Sequence, residues 1–253
     1  MSVVVVWGVT QLHDVVYIVC HKSSTILRFN ATTHQRLTDI NVIHMREPWD
    51  IAACEKTSQV YIAELADCVW RVSAGDTDIK RWLPKSPSDT FTPSTLSVTS
   101  TRLLVTSLDT NQLTQFDADG NELRRVQLPR HIEPEHAVES PAGTFIVSHS
   151  STQLMHAQVV EVSTGGEVLR QFSGSASLHS PEHAAIDSAG NIFVLDAHNR
   201  HIVLLDDHLS LRRVVIDEHQ LKGKPVRLCY REQSGQLLVG LYRDVAVFDV
   251  LCR

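Results

Sequence analysis

Long apolar runs are missing from this sequence. No continuous hydrophobic stretch in its 253 residues exceeds the length of a strand, whereas a membrane-crossing helix needs about 20 such residues. A helical span is therefore excluded. The opening valine run has neither a basic leader nor a small-residue cleavage site, so it is not expected to act as a signal peptide. The five cysteines, Cys20, Cys54, Cys68, Cys229 and Cys252, form no C-x-x-C pair. Most fall inside apolar segments, where a thiol behaves as a small hydrophobe, and reduced cysteine fits an intracellular, cytoplasmic setting. Also absent are a serine nucleophile elbow, a phosphate-binding loop and a dinucleotide glycine motif. An enzyme reading therefore has no motif behind it. Lys and Arg number 23 against 29 Asp and Glu, a net charge of −6. Without a basic stripe interleaved with aromatics, nucleic acid is disfavoured as a partner, because phosphate contacts supply most of that affinity.

What the chain does contain is a repeat. Prolines 48, 93, 134, 181 and 225 each precede an apolar segment, with separations of 45, 41, 47 and 44 residues. Repeats of that length are typical of four-stranded propeller blades. A proline suits the first position of a strand, where its missing N–H breaks no ladder bond. After a turn, each unit continues with a short β-branched run such as Val60–Ala63, Phe145–Ser148 or Ile192–Leu195. Runs this short and this apolar fit strands buried on both faces. A third strand ends at Asn, Asp or Ser, and a Gly- or Asn-bearing turn leads to a charged fourth strand, as in Leu123-Arg124-Arg125-Val126. Charge on an outermost strand keeps a sheet edge from pairing with another molecule, so these Lys and Arg residues read as a solvated rim.

The N-terminal unit lacks the proline, but Tyr17–Cys20 and Thr25–Phe29 match the second and third strands. The fold class is therefore all-β, a six-bladed β-propeller of four-stranded antiparallel blades. The chain forms one domain over 1–253, with units spanning roughly 1–44, 45–89, 90–130, 131–177, 178–221 and 222–253. Each unit hides its apolar flank only by stacking on its neighbours. The last unit ends without a fourth strand. Ser2–Val6 is placed to complete it and close the ring, although only Trp7 and Gly8 separate that segment from the first inner strand; the alternative is a piece of a longer protein with an imperfect seam.

The clearest unit runs Asp187-Ser188-Ala189-Gly190-Asn191, then Ile192–Asp196, then Ala197-His198-Asn199-Arg200. On these residues the chain resembles the NHL-repeat family of six-bladed β-propellers, most closely over 181–214. The resemblance implies a structural ion pair between Asp196 and Arg200, with Glu64, Ser107 and His149 at the matching places of other units. It also implies two kinds of function. The NHL-like rings of tripartite-motif ubiquitin ligases recruit proteins or RNA, while peptidyl-hydroxyglycine lyase and the related lactonase propellers hold a metal in the channel. A fold hosts many functions and cannot choose between them.

Successive blades bring equivalent positions to one axis. The second residue after each proline is Asp50, Thr95, His136, His183 and Arg227, preceded by Trp49, Ser94, Glu135, Glu182 and Val226. Imidazole and carboxylate together suit zinc or another divalent ion. Asp50, His136 and His183 are therefore candidate metal ligands, with Glu135 or Glu182 as a supporting carboxylate or general base. The plainer reading is a wet channel lined by polar groups in a chain with 14 histidines. For partner binding, the candidates are Trp49 near the channel mouth, for which a wedge between blades is the favoured reading, and Trp82 and Phe91 around the proline-rich loop 83–92, which reads equally as a packed connector.

The first expectation is a non-enzymatic scaffold, monomeric as an isolated domain and with no cofactor, binding a protein or peptide on one face of the ring. The alternative is a metal-dependent lyase or hydrolase working in the channel.

Overall fold

Each short apolar run pairs antiparallel with its sequence neighbours, because turns of a few residues leave no other strand in reach. The computed structural model of the chain describes residues 5–65, 67–75, 78–83, 92–107, 110–150, 157–172 and 178–250. These fold into six antiparallel sheets arranged as a ring.

Blade one holds β1 (Val6–Leu12), β2 (Val15–Cys20), β3 (Thr25–Asn30) and β4 (Ile40–Asn41). Blade two holds β5 (Pro48–Cys54), β6 (Gln59–Glu64), β7 (Cys68–Ser73) and β8 (Ile79–Leu83). In blade three they are β9 (Pro93–Thr99), β10 (Arg102–Ser107), β11 (Gln112–Phe116) and β12 (Glu122–Gln127). Blade four comprises β13 (Glu133–Glu139), β14 (Phe145–Ser150), β15 (Gln158–Val162) and β16 (Val168–Gln171). Blade five comprises β17 (Pro181–Ile186), β18 (Ile192–Asp196), β19 (His201–Leu205) and β20 (Leu211–Ile216). Blade six has β21 (Pro225–Arg231), β22 (Gln236–Leu241) and β23 (Val245–Asp249). Among the described residues no helix is long and apolar enough to cross a membrane.

The inner strands β1, β5, β9, β13, β17 and β21 contact one another in order, and β1 meets β21 to close the circle. Between blades lie six apolar clusters. Phe193, Leu195 and Ile202 of blade five, for example, pack on Leu228, Leu237 and Val239 of blade six. The outer strands β12, β16 and β20 are mostly exposed, as expected of a rim, but they also show aliphatic residues to solvent: Leu123, Leu169, Leu211 and Val214.

The expected completion of blade six by Ser2–Val6 is corrected in part. Val6 opens β1, and the Val5 carbonyl accepts the His21 N–H at 2.8 Å, so both serve the inner strand of blade one. Ser2 to Val4 lie outside the described residues, and blade six has three strands among those described. Four of the cysteines are free thiols. Burial pushes Cys20 to about 11 and Cys68 to about 12, which keeps both protonated and unreactive.

One hairpin glycine is fixed by a close approach. Gly166 has φ +91°, and a Cβ there would sit 2.1 Å from the backbone carbonyl oxygen of Gln127 in the preceding blade. Gly166→Ala is expected to destabilise the chain by about 2–4 kcal/mol through strain and displacement of that contact. Chemical denaturation checks this, with Gly143→Ala as the comparison, since nothing lies within 4 Å of its position.

Candidate functional site

Every inner strand carries an extra residue at the same place. The registers skip between Val6 and Gly8, Pro48 and Asp50, Pro134 and His136, Pro181 and His183, and Pro225 and Arg227, and β9 has the same bulge opposite Val105 and Ser107. A bulge re-aims the side chains around it. Here it turns the residue after the bulge into the ring, so Asp50, Thr95, His136, His183 and Arg227 are all buried. In blade one the place belongs to Gly8, where a Cβ would lie 2.8 Å from Ile51 Cγ2.

Asp50, His136 and His183 do meet, with one potential ligand atom from each within 4.8 Å of the others. Their bonding partners are what give the cluster its character. Arg227 Nε lies 3.3 Å from Asp50 Oδ1, and the Leu96 N–H donates to Asp50 Oδ2 at 2.8 Å. His136 Nδ1 accepts the Ala184 N–H at 3.3 Å, which leaves Nε2 protonated to donate to the Leu96 carbonyl at 3.2 Å. The His183 ring stacks on His136, with centroids 3.6 Å apart, and its Nε2 stands 4.0 Å from Asp50 Oδ2. Thr95 adds a bond from its hydroxyl to the Glu135 carbonyl at 2.9 Å. The chain of bonds thus runs from β21 to β5, β9, β13 and β17, linking five inner strands through their side chains.

Electrostatics agree with a closed structural hub. Burial, reinforced by the Arg227 charge, pulls His136 down to about 3, with only the Leu96 bond opposing. His183 falls well below its ordinary value through burial and then through the nearby His136 and Arg227. Both rings are neutral at neutral pH. Burial pushes Asp50 up, while Arg227 and the Leu96 amide favour its ionised form. A divalent ion at this donor set meets competing partners. It would have to displace a backbone partner from His136, share Asp50 with a guanidinium, and sit beside that positive charge. His183 Nδ1 is buried with no hydrogen-bond partner, and its Nε2 comes no nearer to Asp50 than 4.0 Å.

The other expected site residues fall elsewhere. Glu135 and Glu182 are the bulged residues themselves and lie outside the cluster. Glu182 faces Lys224 at 3.5 Å and Ser180 Oγ at 3.3 Å. Trp82 is not a docking residue: it is buried between blades two and three against Tyr61 and Phe116, with Arg71 over its ring. Its place at the end of β8 points it into the seam. Phe91 lies outside the described residues. Trp49 is half-buried and stacks on Trp7 at 4.0 Å, both being bulged residues of adjacent inner strands. Trp7 was missed because its unit lacks the marker proline, although counting back from Tyr17–Cys20 would have found it.

The expected Asp196–Arg200 ion pair is also corrected. Arg200 sits in the turn at φ 52° and its guanidinium lies 3.8 Å from Glu218. Asp196 instead accepts the N–H groups of His179, Ser180, His198 and Asn199, at 2.7 to 3.1 Å. Glu64 does the same for Arg46 N–H at 2.6 Å, and the Ser107 hydroxyl meets that of Thr92 at 2.8 Å. The position at the end of the second strand therefore pins the segment that leads into the inner strand. Beyond the hub lies a cavity of about 320 Å³, with His136 and His183 at its floor and Glu55, Tyr230 and Glu232 along its sides.

Two outcomes follow. Asp50→Ala strands a buried guanidinium and should cost about 3–5 kcal/mol, whereas Asp50→Leu with Arg227→Leu should cost less than the sum of the single changes. A double-mutant cycle in denaturant measures this. In acid, the unfolded chain binds protons at His136 and His183 that the folded chain refuses, so stability falls as pH drops below 6.5 and continues to fall toward about 3. Each histidine contributes a slope of up to about 1.4 kcal/mol per pH unit, and the upward shift of Asp50 acts with the opposite sign. His136→Gln should flatten the profile by roughly one proton's share, as read from denaturation midpoints between pH 5 and 7.

No family model matches the chain, and no curated protein matches it. Solved structures do match at the level of fold. Virginiamycin B lyase from Staphylococcus aureus, an inactive variant with quinupristin, superposes with TM-score 0.69 at 13% identity, covering 96% of this chain and 94% of that one. A chain of the nidogen/laminin complex gives 0.66 at 13% identity, over 85% and 81%. The WD40 β-propeller domain of Doa1 gives 0.65 at 14% identity, over 97% and 93%. At these identities the likeness shows the fold alone, a β-propeller.

Proposed function

We propose that this propeller is a non-enzymatic interaction module that binds a protein or peptide through the ring face carrying Trp7 and Trp49. The observation behind this reading is the stacked, half-buried tryptophan pair on adjacent inner strands, beside a hub in which Asp50 and His136 are already hydrogen-bonded. Large amphipathic side chains held in place by a rigid scaffold lose little entropy on binding, and they concentrate binding energy. The bulges that build the hub also present these rings, since Trp7 and Trp49 are the extra residues of β1 and β5. The acidic balance of the chain argues for a polypeptide partner over nucleic acid. The second reading, a metal-dependent lyase or hydrolase, draws on the approach of Asp50, His136 and His183. It requires Arg227 and the Ala184 amide to give way.

Metal analysis of desalted protein separates the two. The interaction reading predicts no stoichiometric ion. One equivalent of zinc or another divalent metal, lost in His183→Ala, would overturn it. For binding itself, a partner isolated with the wild-type chain should bind Trp49→Ala at least about tenfold more weakly. The rim variant Arg124→Ala should bind it as wild type. Equal affinity for all three proteins would remove this face from recognition.

A further inference from the structure

The cavity on the hub is left by a second ring of small residues. Side chains two positions apart on a strand lie on the same side. Two positions beyond Gly8, Asp50, Thr95, His136, His183 and Arg227 come Thr10, Ala52, Ser97, Val138, Ala185 and Cys229. None is larger than valine, and all six line the cavity of about 320 Å³ whose floor is His136 and His183. Its walls reach to Glu55, Arg231 and Glu232, at the far ends of the inner strands. Trp7 and Trp49 stand at the opposite ends of those strands, so the cavity is distinct from the tryptophan face. Every residue that lines it is among those described.

Small walls alone would not make a site. What marks this cavity is its unpaired polar atoms. His183 is 7% exposed and lines the floor, and its Nδ1 has no hydrogen-bond partner among the described residues. Burial keeps the ring neutral, so it carries one proton. On Nε2, 4.0 Å from Asp50 Oδ2, that proton faces the carboxylate, and Nδ1 presents a lone pair. Three further atoms of lining residues are buried and unpaired: Ser97 Oγ, Gln11 Oε1 and Arg231 Nε. Gln11 already donates its side-chain N–H to the His13 carbonyl at 2.6 Å, which leaves Oε1 as its free end. Other polar groups are engaged, since Glu232 accepts the Ser188 N–H and hydroxyl, and Thr10 meets Cys229 Sγ at 4.0 Å. Buried polar atoms are normally paired, and four orphans around one cavity require an explanation. Among them stand the aliphatic side chains of Val9, Val98 and Ile186, which water does not satisfy.

We propose that this cavity is a binding site for a small uncharged molecule, a primary amide carried on a compact apolar frame. The amide N–H groups match the acceptors His183 Nδ1 and Gln11 Oε1, and its carbonyl matches the donors Ser97 Oγ and Arg231 Nε. A charged group is disfavoured at the floor, because Asp50 and Arg227 already pair with each other behind it. An apolar cavity of about 150 Å³ takes benzene, so the volume here has room for a substituted ring. The site goes beyond the interaction reading and does not rest on it.

Benzamide is the probe, titrated into the full chain and followed by 15N–1H spectra. Methyl benzoate, of similar shape but without an N–H, is the comparison. Saturable binding of benzamide is expected, with shifts at the Ser97, Ala185 and Cys229 amides. Methyl benzoate should bind at least about tenfold more weakly. Both probes are compared on wild-type protein, so this arm needs no variant to fold. Ala185→Leu fills the cavity and should abolish binding. His183→Phe keeps a ring without the lone pair and should erase the preference for the amide. No saturable binding would show that the cavity holds only solvent, and would overturn the proposal. Equal affinity for the two probes, an undiminished preference in folded His183→Phe, or shifts confined to the tryptophan face would overturn it as well.

Discussion

Burial between blades is the constraint on which this structure depends. No single sheet here can hide both of its faces, so each apolar flank is removed from water only by the next sheet. That requirement explains why β2, β6, β10, β18 and β22 are largely buried, and why a tryptophan at the end of β8 belongs to the interior and not to a loop surface. It also explains the outer strands, whose charged residues keep the rim solvated while one or two large side chains at their ends fill the seam below. Among the described residues, the seam between blades six and one receives no such side chain from an outer strand.

The polar hub is a second tie laid across the first. Bulges turn one residue per inner strand toward the axis, and those residues differ enough to bond with one another: a carboxylate, a guanidinium, two neutral imidazoles and a threonine. Buried charges are stable only when paired and hydrogen-bonded, and here Asp50 and Arg227 come from strands 177 residues apart in sequence. The arrangement has the composition of a metal site and the bonding of a clasp. What separates the two cases is whether the nitrogen and oxygen lone pairs are free.

Much of this was legible in the residues. The proline register identified the inner strands and brought Asp50, His136 and His183 to one place, because an even repeat puts equal positions at equal depth. The role of Arg227 was not legible, since β21 and β5 are separated in the ring by β1, whose equivalent position is the side-chain-less Gly8. Nor was the bulge, which sends Glu135 and Glu182 away from their histidine neighbours. The Asp196–Arg200 pair failed for a local reason: the carboxylate is already occupied by four backbone N–H groups, and the turn carries the guanidinium toward Glu218. Trp7 stayed hidden in a unit without its marker proline.

Strand-resolved hydrogen exchange on the isolated chain tests most directly the claim that, among the described residues, side chains at the outer-strand ends seal five seams and not the one between blades six and one. The account predicts strong protection in β15 and β19 and markedly faster exchange along β23 and the facing edge of the sixth seam. Protection of β23 equal to that of β19 in the chain alone would contradict it.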